Sequence, residues 1–146
     1  MLRAWEVLSL VGRYVKWYHK WMFVLRSQLY DAYYNPASND ELQSFLSYWS
    51  SEVLPQLAYS PDSFDCDDYA FLFKALMVRY TNKNCCFFVV GQVYKDGSYL
   101  GLHAFNAVLV GRGVAFVEPM IGEVLSSNRL IASSDGFCYD VLWIVG

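Results

Sequence analysis

Residues 85–118 read CCFFVVGQVYKDGSYLGLHAFNAVLVGRGVAFVE. Three runs rich in β-branched and aromatic residues, Cys85–Tyr94, Tyr99–Val110 and Val114–Glu118, are separated by Lys95-Asp96-Gly97-Ser98 and by Gly111-Arg112-Gly113. Asp-Gly and Gly-Arg-Gly supply the positive backbone angles that tight hairpins demand, so the stretch predicts an antiparallel meander. Phe137–Val145 has the same texture and adds a strand. Upstream the pattern is helical. Ala70 to Tyr80 is a largely apolar stretch of helical length, preceded by Phe64-Asp65-Cys66-Asp67-Asp68-Tyr69, which places Cys66 in the helix's first turn. Ser38-Asn39-Asp40-Glu41 has capping-box spacing and predicts a helix over about 39–50. Residues 3–33 read as one long helix or two abutting ones, with Gly12 as the weak point and Asn35-Pro36 as the break after it. Helices followed by an antiparallel meander predict an α+β fold, with N-terminal helices packed on an antiparallel β-sheet. The expected organisation is one domain over 1–146, a helical extension over 1–50 and a core over 60–146.

The chain has 146 residues, 55% of them hydrophobic and 17% charged, which excludes a disordered protein. A formal charge of −3 gives no basic footprint over the whole chain, so no nucleic-acid partner is expected. The charge is uneven: residues 1–34 carry Arg3, Arg13, Lys16, Lys20 and Arg26 against Glu6 and Asp31, and an anionic partner would meet that end. The same segment is rich in Trp and Tyr. A basic aromatic helix suits a membrane interface, but its aromatics fall on more than one face, which favours packing against the body or a homodimer through residues 3–33 over peripheral membrane contact. Charged residues interrupt the opening apolar runs before a signal peptide or a transmembrane helix could form. The cysteines Cys66, Cys85, Cys86 and Cys138 form no C-x-x-C pair, so a reduced, cytoplasmic setting is expected.

Cys66 opens a helix within a polar, Asp-rich segment. Unpaired N–H groups and the positive end of the helix dipole would stabilise its thiolate and could hold an oxyanion. Of the two histidines, His19 sits in the basic N-terminal segment, whereas His103 lies in an apolar strand and is the natural base for Cys66. An imidazole in that role needs a group on its other nitrogen. If the Gly-Arg-Gly hairpin has a two-residue loop, Glu118 comes within diagonal reach of His103 on one sheet face; a three-residue loop would align it with Asn106, the alternative orienting residue. Gln56 is the nearest upstream amide for an oxyanion site. The carboxylates of Asp62, Asp65, Asp67 and Asp68 oppose a thiolate at Cys66, and a hard cation such as calcium would relieve that conflict.

Phe64-Asp65-Cys66-Asp67-Asp68-Tyr69-Ala70, Gly101-Leu102-His103-Ala104-Phe105-Asn106 and Phe116-Val117-Glu118-Pro119 together resemble the Cys, His and Glu blocks of papain-like and transglutaminase-like cysteine peptidases. They are most similar to the peptidase domain fused to a fungal mushroom agglutinin. The match covers about residues 60–122 and departs at Met120, where Gln is expected. The resemblance implies a papain-like core, a catalytic Cys66–His103–Glu118 triad, bound calcium and a peptide or protein substrate. The resulting expectation is a cysteine hydrolase that cleaves a peptide or amide bond through a thioester on Cys66, or transfers the acyl group to an amine. The alternative is a catalytically inactive binding or structural module on the same fold, such as a small viral protein, dimerising through its N-terminal helix.

Overall fold

The computed structural model describes residues 1–128 and 130–146. Its N-terminal part contains β1 (Leu2–Arg3), α1 (Ala4–Gly12), α2 (Lys20–Arg26), β2 (Tyr33–Tyr34) and α3 (Asn39–Tyr48). Then come α4 (Cys66–Thr81), β3 (Cys86–Lys95), β4 (Ser98–Val110), β5 (Gly113–Glu118), β6 (Glu123–Leu125), β7 (Ile131–Ala132) and β8 (Phe137–Val145). β1 and β2 form a small ribbon, while the other six strands form one antiparallel sheet in the order β6-β5-β4-β3-β8-β7.

The two ends of that sheet meet. Just past β6, the Ser126 N–H donates to the Ala132 carbonyl at 2.8 Å and the Ala132 N–H returns to the Ser126 carbonyl at 2.9 Å. These bonds join β6 to β7 at one bridge and curl the sheet into a barrel-like form. The expectation of helices layered on a papain-like or transglutaminase-like core is therefore corrected. The organising element is a curled, barrel-like antiparallel sheet with a few helices around it. Periodicity reveals strands, but closure rests on two backbone bonds between segments with no distinctive side-chain signal.

Of the two forms expected for residues 3–33, one long helix or two abutting ones, the structure has two helices, but they are separated and stop at Arg26. α1 ends at Gly12, a turn and a short 3-10 segment (Trp17–His19) follow, and α2 starts at Lys20. Each short helix keeps one side for the core: Val7 and Val11 from α1 and Phe23 from α2 are buried. α3 begins where its capping box predicts. The Ser38 hydroxyl accepts from the Glu41 N–H at 3.1 Å, and Glu41 accepts from the Ser38 N–H at 2.6 Å. Lys83 Nζ then grips the Glu41 carboxylate at 2.6 and 2.7 Å, tying α3 to the loop after α4.

α4 lies against β3 and β4, and one buried side chain fixes it there. Asn106 Nδ2 donates to the Ala70 carbonyl at 3.0 Å and to the Phe87 carbonyl at 3.2 Å, bridging α4 to β3. Asn106 thus works on the helix-facing side of β4 and does not orient His103. Phe45, Trp49, Phe73, Phe105 and Phe116 anchor the main core. Trp49 Nε1 donates to the Pro119 carbonyl at 2.9 Å, holding the chain just after Glu118.

Gly91 occupies the centre of the sheet, paired with His103 on β4 and with Val141 on β8, beside an irregularity in the β3–β8 register. A Cβ at this position would collide with the Asp140 carbonyl and the Phe105 ring. Gly91→Ala should therefore destabilise the protein by about 2–4 kcal/mol, lowering the melting temperature by roughly 5–15 °C. Thermal unfolding followed by circular dichroism checks it, with Gly97→Ala, where the added Cβ meets nothing, giving the cost of a strained but open position.

Candidate functional site

The missing side chain at Gly91 opens a space that neighbouring rings fill. Along β3, Val89, Gly91 and Val93 share a face; Phe105 and His103 oppose the first two on β4, and Val141 and Tyr139 oppose the last two on β8. Ring centroids of His103 and Tyr139 lie 5.7 Å apart, Phe105 and Tyr139 5.4 Å, and His103 and Phe105 6.3 Å. The imidazole is thus walled by aromatic surface and is largely withdrawn from water.

The β4–β5 turn has the two-residue loop: Val110 pairs with Gly113 and Asn106 with Val117, which brings Glu118 level with Phe105. His103 Nε2 and Glu118 Oε2 lie 2.5 Å apart. Glu118 is held in turn by the Met120 N–H, which donates to Oε1 at 3.2 Å. With Nε2 engaged by Glu118, Nδ1 is the ring nitrogen left for Cys66, the first residue of α4, whose thiol lies close enough to act on the imidazole's charge. The structure therefore brings Cys66, His103 and Glu118 together from three separate elements.

Burial alone would push the His103 pKa down. The Cys66 side chain and the Glu118 carboxylate outweigh it and raise the imidazole to about 9. Tyr139 joins the group unannounced by any motif. Burial and then the nearby Glu118 charge push its hydroxyl above the usual tyrosine range. Strand alternation puts Tyr139 on a definite face of β8, but only the β3–β8 pairing shows that the face is the one carrying His103. Cys85 and Cys86 lie in the core, where burial pushes their thiols up; Cys66 and Cys138 are partly exposed.

The other expected site residues make contacts of their own. Gln56 is exposed and donates to the Glu52 carbonyl within its own turn at 2.5 Å, so no oxyanion role is built there. Of the four aspartates, Asp68 accepts from the Asp65 N–H at 3.3 Å and caps α4. Asp62 stands at a turn with φ 60°. Asp65 and Asp67 meet, and the hydrogen bond between their side chains pushes Asp67 up and Asp65 down. Their carboxylates and the Cys66 sulfur lie within 4.8 Å of one another, the one such cluster among the described residues. Calcium takes six to eight oxygens. Two carboxylates and a sulfur supply only part of that shell, and no chemistry is routed through a metal here.

Beside His103 and Glu118 lies an open hollow of about 260 Å³, lined also by Val93, Met120, Ile121, Asp135, Phe137 and Tyr139. Met120, the departure from the expected Gln, gives this hollow part of its apolar wall.

No protein-family model and no curated protein matches the chain. Solved structures do. One described as "PSL1a-E64 complex" aligns with a TM-score of 0.68 at 23% identity, over 99% of this chain and 51% of its own. Another, Polyporus squamosus lectin bound to the human-type influenza-binding epitope Neu5Acα2-6Galβ1-4GlcNAc, aligns with a TM-score of 0.63 at 22% identity, over 97% of this chain and 48% of its own. The chain spans about half the length of these structures. At such identity the likeness carries the fold.

These matches correct the papain-like or transglutaminase-like core expected from the three blocks, and the peptidase or amidase activity and the peptide or protein substrate that the resemblance implied are not what the lectin neighbour is described with. One of these neighbours is described as a lectin with a bound glycan. Three short blocks spaced over about 60 residues are too little sequence to carry a family assignment.

The raised His103 pKa has a thermodynamic consequence. A group whose folded pKa lies above its unfolded value near 6.5 contributes stability that is complete below that value and is lost as pH rises towards 9. The melting temperature should therefore fall between pH 6.5 and 9. Glu118→Gln should flatten that fall and bring the imidazole midpoint, read by NMR of the ring nitrogens, down from about 9.

Proposed function

We propose that the chain is a ligand-binding module whose contact site is the Cys66–His103–Glu118 group and the apolar hollow beside it. The observation that carries this reading is convergence: an imidazole and a buried carboxylate open onto a concave surface otherwise walled by Val93, Met120, Ile121, Phe137 and Tyr139, with Asp135 as a further carboxylate. A few oriented polar groups in an apolar hollow are the usual make-up of a small-molecule site. At about 260 Å³ the hollow falls below the usual span of roughly 300–1,000 Å³ for drug-sized ligands, which suits one ring or one side-chain-sized group.

Aromatic walls and a hydrogen-bonding edge fit a saccharide ring, with its C–H face on Tyr139 or Phe137 and its hydroxyls towards His103 and Glu118. The lectin neighbour is described with a sialylated glycan, so Neu5Acα2-6Galβ1-4GlcNAc is the first ligand to try.

Titration calorimetry with that trisaccharide and its component sugars should give saturable binding. Tyr139→Ala should weaken it by about tenfold or more, as expected when a stacking aromatic is lost. Cys66→Ser, which lies outside the lining of the hollow, should bind ligand as the wild-type chain does. Absence of binding by any of these sugars would count against the saccharide reading. Cleavage of a peptide or amide by the wild-type protein, lost in Cys66→Ala, would overturn the binding-module reading itself.

A further inference from the structure

We infer that the α1–α2 face is a docking surface for an anionic lipid membrane. The face is apolar where it should be covered. Trp17, Trp21, Val24 and Leu25 fall at helical spacing along the 3-10 segment and α2, and they are 81%, 65%, 67% and 74% exposed. Single exposed apolar residues are ordinary, but an aligned set of this size is not. Trp5, at 62% exposure, extends the set onto α1. A groove of about 430 Å³ between the helices, lined by Trp5, Leu8, Arg13, Lys20, Phe23 and Val24, makes the two helices one surface. α2 packs its inner side on β8 and buries Phe23, so the outward residues face away from the body.

Charge identifies the occupant. Ion pairs among the described residues engage Lys16 with Asp140, Lys83 with Glu41 and His103 with Glu118. Arg3, Arg13, Lys20 and Arg26 take part in none of them. The acids of the same segment are occupied locally: Glu6 accepts from the Arg3 N–H, and Asp31 accepts from Asn84 Nδ2. A chain with a net charge of −3 thus turns a positive, tryptophan-bearing face outward. A second copy docking on this face by a two-fold axis would set Arg13 and Lys20 against their own kind. An anionic bilayer meets the same cations with opposite sign and accepts Trp and Leu at its headgroup boundary. The acidic remainder of the protein is repelled from the bilayer, which orients this face towards it.

No helix among the described residues is long and apolar enough to cross a membrane, so the contact is peripheral. It is carried by buried apolar area and by screened charge. Both parts are measurable.

Flotation of the full chain with vesicles of phosphatidylcholine containing about one-third phosphatidylserine, against vesicles of phosphatidylcholine alone, tests the inference. Binding to the anionic vesicles with a blue shift of tryptophan emission is expected, weakened in about 0.5 M salt, where the Debye length is down to roughly 4 Å. Charge reversal by Arg13→Glu with Lys20→Glu should weaken binding by roughly tenfold or more. Trp21→Ser with Leu25→Ser should abolish the blue shift while leaving the melting temperature unchanged, since both residues are exposed. Equal partition onto neutral and anionic vesicles, insensitivity to either double variant, or a dimer by light scattering that both variants disperse without any vesicle binding would overturn it.

Discussion

Strand β3 is hydrogen-bonded along both edges, and the rest of the molecule is referred to it. Its pairing with β4 on one side and β8 on the other removes the freedom to slip, because a shift of one residue would turn every apolar side chain to the wrong face. Gly91 at its centre allows the rings of His103, Phe105 and Tyr139 to meet over the strand. Asn106 uses the opposite side of the neighbouring strand to lock α4 by its Ala70 carbonyl. The site therefore inherits its geometry from a doubly bonded strand and not from its own loops.

This arrangement explains how a thiol, an imidazole and a carboxylate come together without sharing a segment. Cys66 is delivered by a helix end, His103 by the middle of a long strand and Glu118 by the last position of a short one. The Trp49 to Pro119 bond and the Met120 N–H hold the end of β5, where a frayed strand would otherwise let the carboxylate drift. Burial lowers the pKa of the imidazole, and the Cys66 side chain and the Glu118 carboxylate together reverse that effect. His103 and Glu118 also line the hollow in which a ligand ring would sit, so electrostatics and binding surface have a common origin.

The N-terminal segment follows a different rule. Its helices are short, each anchored by one or two buried residues, and their outer side holds tryptophans next to cations. Read as one long helix or two abutting ones, the segment spreads its aromatics over more than one face, which favours packing on the body or on a second copy. The break after Gly12 changes the phase and gathers Trp17, Trp21 and Leu25 on one exposed line.

Several features were legible from residue chemistry alone. The Asp-Gly and Gly-Arg-Gly turns, the alternating β runs and the Ser38–Glu41 capping box are local, since each is fixed by residues within a few positions of one another. The spacing that puts Glu118 near His103 was legible for the same reason, once a two-residue loop is assumed. Closure of the sheet through Ser126 and Ala132, the place of Tyr139 beside His103, and the spending of Asn106 and Gln56 elsewhere were decided only by tertiary structure. They depend on backbone bonds and packing between distant segments, and such contacts leave no periodic trace in the chain. The short Cys, His and Glu blocks show the limit most clearly: they marked residues that meet in space, but a class of protein is set by the whole sheet and what binds to it.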